Sequence, residues 1–146
     1  MRLTHGGREV GCGCAYRAAF RACYNQFRQC GTEGERVSVV SLDWVSGVDG
    51  RRCYSRKREE YRADFWLVSV RVLHAWQARI FRLHFMLGAD WRLCCRQLNL
   101  DRGTFFHEIY RIEQRLGRVF AELQPYALFP VNEYFAPPRR EMRSAA

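Results

Sequence analysis

The sequence predicts an all-α fold, a small helical bundle with a helix-turn-helix in its C-terminal half. Residues 88–117 (GADWRLCCRQLNLDRGTFFHEIYRIEQRLG) read as two helices joined by a tight turn, the second opening on the polar Asp101-Arg102-Gly103-Thr104. Upstream, apolar residues recur at three- and four-residue steps, the spacing of one helical face. Hydrophobic residues make up 48% and aromatics 14% of the 146 residues, which is enough for a real core.

Residues 1–13 are Gly-rich and expected to be loose. Ala15 to Cys30 is expected as the first helix. There Tyr16, Phe20, Cys23, Phe27 and Cys30 fall on one face, with Arg17, Arg21 and Arg28 largely away from it. Gly31 is expected to end that helix. The Val- and Ser-rich residues 37–45 lean towards β, but Val39-Val40 breaks the alternation. An irregular stretch or a short β segment is expected there.

A second helix is expected from near Ser55 to Leu73, with Tyr61, Phe65, Val68 and Val72 inward. After a turn at His74-Ala75, a third runs from Trp76 to Leu87, with Gly88 as its C′ residue. Asp90 caps the fourth, which ends near Leu98. The turn is Asn99-Leu100-Asp101. The fifth helix starts at Arg102 or Gly103, carries the inner stripe Phe105, Ile109, Ile112 and Leu116, and closes before Pro125. Tyr126, Phe129, Tyr134 and Phe135 are expected to pack back on the bundle or to dock on a partner, with packing favoured, and residues 139–146 to be a polar tail. The chain thus divides into an N-terminal helix and loop region, 1–50; a helical domain, 51–124; and a Pro/aromatic tail, 125–146.

The net charge is +9, and of 24 basic residues Lys57 is the one lysine. Arginine's planar fork suits phosphates and guanine edges, so the bias fits nucleic acid; a GC-rich coding sequence produces the same bias. The run Arg51, Arg52, Arg56, Lys57, Arg58 and Arg62 reads either as a phosphate-tracking arm or as a solvated helix start partly neutralised by Glu59 and Glu60. The most apolar stretch, 65–87, holds Arg71, His74, Arg79, Arg82 and His84, which excludes a cheap membrane span.

An odd cysteine count of seven, an adjacent Cys94-Cys95 pair and no apolar leader point to reduced thiols and a cytoplasmic protein. Cys12, Cys14, Cys23 and Cys30, with His5 nearby, read either as a zinc site or as structural thiols. Cys12 and Cys14 are spaced more tightly than a usual zinc knuckle, and Cys23 and Cys30 lie on an apolar face, so no metal is expected. No phosphate-binding Gly loop, nucleophile elbow or zinc-hydrolase motif is present, so neither catalytic residues nor a cofactor are expected.

In a helix-turn-helix the first helix needs a small residue at the crossing. Cys95 fills that role in this sequence, while Leu98 and Leu100 flank the turn. Arg102, Thr104, Phe106, His107, Tyr110 and Arg111 then face outward on the fifth helix. Over residues 73–117 the chain resembles region 4 of bacterial sigma factors, especially the extracytoplasmic-function type. Residues 76–85 stand for that region's first helix and Leu87 to Trp91 for its turn. Cys94-Cys95 takes the place of the family's Ile-Ala pair. Leu98 to Phe105 matches its turn and Gly-Thr-Val, Ile109-Tyr110-Arg111 its Leu-x-Arg, and Leu116 closes the helix. Arg92-Leu93 departs from the family's acidic pair, and Phe105-Phe106 from its aliphatic-polar pair. Nothing upstream resembles the sigma region that melts promoter DNA.

The resemblance is therefore to a region-4-like regulator of phages, prophages and mobile elements. It implies sequence-specific binding of double-stranded DNA and transcription regulation, with RNA polymerase as a candidate partner. Arg102, Thr104, Phe106, His107 and Arg111 would face the major groove or its phosphates, and Arg92 and Arg96 the backbone. The alternative is a non-enzymatic factor that uses the same module to bind RNA polymerase or another host protein.

Overall fold

The computed structural model describes residues 2–5, 8–40, 49–123 and 127–136, with side chains for 12–31, 56–123 and 127–136. The chain opens with a hairpin of β1 (Arg2–His5) and β2 (Arg8–Gly11), antiparallel, with Arg2 opposite Gly11 and His5 opposite Arg8. Helices follow: α1 (Gly13–Val40), α2 (Asp49–Val72), α3 (Ala75–Phe81), α4 (Trp91–Leu98), α5 (Arg102–Glu122) and the single turn α6 (Val131–Tyr134). A π-helical segment, Arg82–Met86, continues α3.

Four expectations are corrected. The first residues pair as strands instead of lying loose. Residues 37–40 are the last turn of α1, not a β segment; 41–45 lie outside the described residues. Gly31 does not end the first helix. A Cβ there meets only Arg62 side-chain atoms at 3.6 Å and beyond, so the helix passes it without crowding. Helix α2 also starts earlier than Ser55. The segment expected to end at Leu87 does so as a π turn, with the Leu87 N–H bonded to the Arg82 carbonyl.

Most of the residues that periodicity places inward on α1, α2 and α5 join residues of α3 and α4 in one core, with Val68 and Val72 only half-buried at its edge. Phe20, Cys23 and Cys30 of α1, Tyr61 and Phe65 of α2, Ile80 and Phe81 of α3, Cys94 and Leu98 of α4, and Phe105, Ile109, Ile112, Leu116 and Phe120 of α5 are buried together with Leu128. Aromatic rings dominate its centre. The Phe20 ring lies 5.1 Å from Phe85 and 6.2 Å from Phe120, and the Phe65 ring 5.1 Å from Phe120 and 4.5 Å from Phe27.

Helix α1 lies directly on α5. Gly117 makes this possible, because a Cβ at that position would fall 1.8 Å from the Tyr16 carbonyl oxygen. Beside the crossing, the buried Glu113 carboxylate accepts from Arg17 Nε at 2.8 Å, with Arg21 at 3.8 Å. The C-terminal segment folds back, as the packing expectation has it. Leu128 N–H donates to the Phe120 carbonyl, and Tyr134 Oη donates to Asp64 Oδ2 at 3.0 Å. The rings of Tyr134 and Phe135 lie 4.9 and 5.4 Å from Tyr61. Pro125, Tyr126 and residues 137–146 lie outside the described residues.

Candidate nucleic-acid interface

Both ends of α4 and the start of α5 are fixed by local chemistry. Gly88 takes φ +73°, the left-handed conformation that glycine adopts without a Cβ penalty, and turns the chain out of the π segment. The Asp90 side chain then accepts from Leu93 N–H at 2.8 Å and caps α4. At the other end Asn99 takes φ 54°, and the Asn99 and Leu100 N–H groups return to the Cys95 carbonyl. Asn is among the few non-glycine residues that tolerate this conformation.

Asp101 next caps α5, accepting from the N–H of Thr104 at 3.1 Å and from its hydroxyl. These bonds to the charged form hold the Asp101 carboxyl below the usual carboxylate range. The cap takes up the Thr104 hydroxyl proton.

The turn packs inward through Leu98, which is buried, and Leu100, which is partly so. Of the two adjacent cysteines, Cys94 is the fully buried one, and Cys95 is only half-buried against the core. His84 supports the junction from below. Its Nδ1 donates to the Ala89 carbonyl at 2.9 Å, and its ring meets Phe105 edge-on at 5.4 Å.

With Phe105, Ile109, Ile112 and Leu116 inside, the opposite face of α5 is solvent-exposed. Thr104, His107 and Arg111 follow one another there at steps of three and four, with Gln114 and Arg118 beyond. Arg92 and Arg96 are exposed one turn apart on α4, and Arg102 is exposed at the first position of α5. Phe106 differs from the outward expectation. It is half-buried, its ring 6.4 Å from Trp91 and 5.3 Å from Phe105. Tyr110 is exposed at one edge and carries the Arg17 guanidinium 4.0 Å from its ring centroid. Arg111 forms an exposed pair with Glu108 at 3.4 Å.

One member of the surface escaped sequence reasoning. Trp91, not among the outward-facing residues that the sequence marks, is the half-buried floor under two guanidinium groups: Arg92 at 5.4 Å and Arg102 at 5.1 Å from its ring. Arg102 also lies 5.7 Å from the Phe106 ring. No spacing in the sequence signals this cluster, because it closes across the turn between two helix starts. Another such contact is Arg115 Nη1 donating to His74 Nε2 at 2.8 Å.

The zinc alternative finds its thiols dispersed. Cys12 and Cys14 sit at the start of α1, Cys23 donates to the Leu128 carbonyl, and Cys30 accepts from Gln26. Among the described residues no three His, Cys, Asp or Glu side chains form a metal-holding group. Burial pushes the Cys23 thiol up to about 11 and raises Cys30 and Cys94 as well. Among the described residues, no helix is long and apolar enough to cross a membrane.

No family model, curated protein or solved structure matches the chain.

Proposed function

We propose that the protein binds double-stranded DNA in a sequence-specific manner through α4, the turn and α5, and regulates transcription as a sigma-region-4-like factor. The observation that carries this is the distribution of side chains on the two helices. Their apolar stripe is buried, and the exposed remainder holds Arg92, Arg96, Arg102, Thr104, His107 and Arg111. Such a face offers charge for phosphates and donors for base edges. The chain's net charge of +9 adds long-range attraction for a polyanion.

In this reading α5 enters the major groove and α4 lies across the backbone. The Thr104 hydroxyl, His107 and the guanidinium groups of Arg102 and Arg111 meet base edges or flanking phosphates, and Arg92 and Arg96 meet phosphates. Phe106 supports Arg102 from beneath. No proton transfer or bond breaking is asked of any of these groups, and the protein is read as a non-enzymatic factor.

The rival reading, a module that docks on RNA polymerase or another protein, asks for an exposed apolar patch led by Phe106 and Tyr110. Phe106 is instead half-buried beneath Arg102, and Tyr110 is covered in part by Arg17. What favours the rival is Leu87, 72% exposed, with Leu93 exposed after it at the start of α4.

The test is fluorescence-anisotropy binding to a random-sequence duplex across a salt series, with wild type beside Arg102→Ala/Arg111→Ala. The expected result is steeply salt-dependent binding that the double variant weakens, its log–log salt slope falling by about 1–2. Absence of binding at low salt, or binding indifferent to both arginines, would transfer the proposal to the protein-docking reading.

A further inference from the structure

Two guanidinium groups share the Trp91 ring, and among the described residues no carboxylate pairs with either. The nearby acidic side chains are engaged otherwise. Asp90 caps α4, and Asp101 caps α5 through Thr104. Like charges on one ring repel, and an acceptor-rich partner relieves that repulsion. Arg102 is the more constrained of the two. Its guanidinium lies within 5.1 Å of the Trp91 ring centroid and 5.7 Å of Phe106, so two rings limit its rotamers. Stacking occupies the flat face of a guanidinium and leaves its in-plane N–H donors open.

We infer that Arg102 sets the base preference of this interface by reading a guanine in the major groove, and that Trp91 and Phe106 are positioning residues that hold it for that contact. The inference rests on the DNA-binding reading above. Guanine is the base whose groove edge offers two adjacent acceptors, O6 and N7, at the spacing of the arginine fork. Arg102 stands at the first position of α5, and in a groove-inserted helix the N-terminal residues contact base edges. Arg111 is the weaker candidate, since Glu108 already draws on it. A side chain ordered before binding loses less freedom on binding, so the rings raise selectivity without touching DNA.

The experiment is selection of sites from a random duplex pool by the wild-type protein. Anisotropy titrations of the selected site and its single-base variants follow, with wild type, Arg102→Lys, Trp91→Leu and Phe106→Leu, each checked for helix content. Wild type is expected to select one guanine whose replacement weakens binding about 10- to 100-fold. Arg102→Lys keeps the charge but loses the fork. It is expected to flatten that preference to under about threefold while the salt slope stays the same. The two ring variants are expected to reduce the same preference in part, again at constant salt slope, which a merely structural role would not single out.

Retention of the guanine preference by Arg102→Lys, or selected sites with no such guanine, would overturn the inference while leaving DNA binding standing. Failure of the wild type to bind any duplex would remove the DNA reading, and this inference with it. Should a ring variant fail to fold, the exposed Arg102→Lys substitution decides by itself.

Discussion

Gly117 is where α1 and α5 touch backbone to backbone, and replacing it by alanine tests that contact directly. An added Cβ would lie 1.8 Å from the Tyr16 carbonyl oxygen, 2.6 Å from its carbon and 3.2 Å from the Phe20 nitrogen. All three are main-chain atoms inside a helix, so no rotamer change relieves the clash. Reaching the 3.4 Å at which ordinary contact begins requires the two backbones to part by about 1.6 Å at the crossing. That movement also loosens Phe20, Leu116 and Phe120, all fully buried. Overpacking of this kind costs about 3 kcal/mol or more, while alanine's better helix propensity returns about 1. A net loss of about 2 kcal/mol or more follows, a sizeable part of a total stability on the order of 5–15 kcal/mol.

Urea and thermal unfolding followed by far-UV circular dichroism read this out, with an expected fall in Tm of about 4–10 °C. Gly31→Ala is the internal control. It too lies within a helix, but its Cβ meets only flexible Arg62 atoms at 3.6 Å and beyond. Alanine there should stabilise by about 0.5–1 kcal/mol. If Gly117→Ala is as stable as wild type, the close α1–α5 crossing is wrong. If Gly31→Ala destabilises, α1 does not run through that glycine.

The Arg17–Glu113 pair should show a coupling of about 1 kcal/mol or more in a double-mutant cycle, against about 0.3–0.5 for the exposed Arg118–Glu122 pair on the same helix; equal couplings would remove the buried clamp. Asp101 has its carboxyl held low in the folded state, so its contribution is present above the unfolded value near 3.8 and is lost as pH falls through the lower folded one. Asp101→Asn should therefore flatten the acid limb of a stability–pH profile, and an unchanged limb would contradict the cap. Cys23 is shifted the other way, from 9.0 to about 11, by burial. Its contribution is complete below pH 9 and is lost as pH rises through about 11, and the buried Tyr61 hydroxyl, also raised, adds to the same alkaline loss. Mass-spectrometric mapping of iodoacetamide labelling at pH 8 should find exposed Cys14 modified well before Cys23, and early modification of Cys23 in folded protein would refute its burial.

What the sequence determined by itself is the local architecture of residues 88–122. Gly88, Asp90, Asn99 and Asp101 act within a few bonds of themselves. A positive φ or a capping bond to the third residue on is written into the residue type and its neighbours. The stripe Phe105, Ile109, Ile112 and Leu116 likewise follows from helical period alone, and so does the exposure of Arg102, Thr104, His107 and Arg111 opposite it. Gly31 misled for the same reason. Locally it resembles a stop, but α1 runs through it to Val40, at the modest cost of a glycine in a helix interior.

The tertiary structure decided everything that depends on which surfaces meet. Glu113 looks like a solvated helix charge until Arg17, 96 residues earlier, closes over it. Gly117 looks like a helix-weakening residue until the Tyr16 backbone arrives beside it. Trp91 looks like one more half-buried aromatic until Arg102, on the next helix, settles on its ring. Each of these is a contact between helices, and its existence depends on crossing position and helix rotation. Those are set by the sum of many small packing terms across the whole core and by no residue pair that periodicity or propensity marks out.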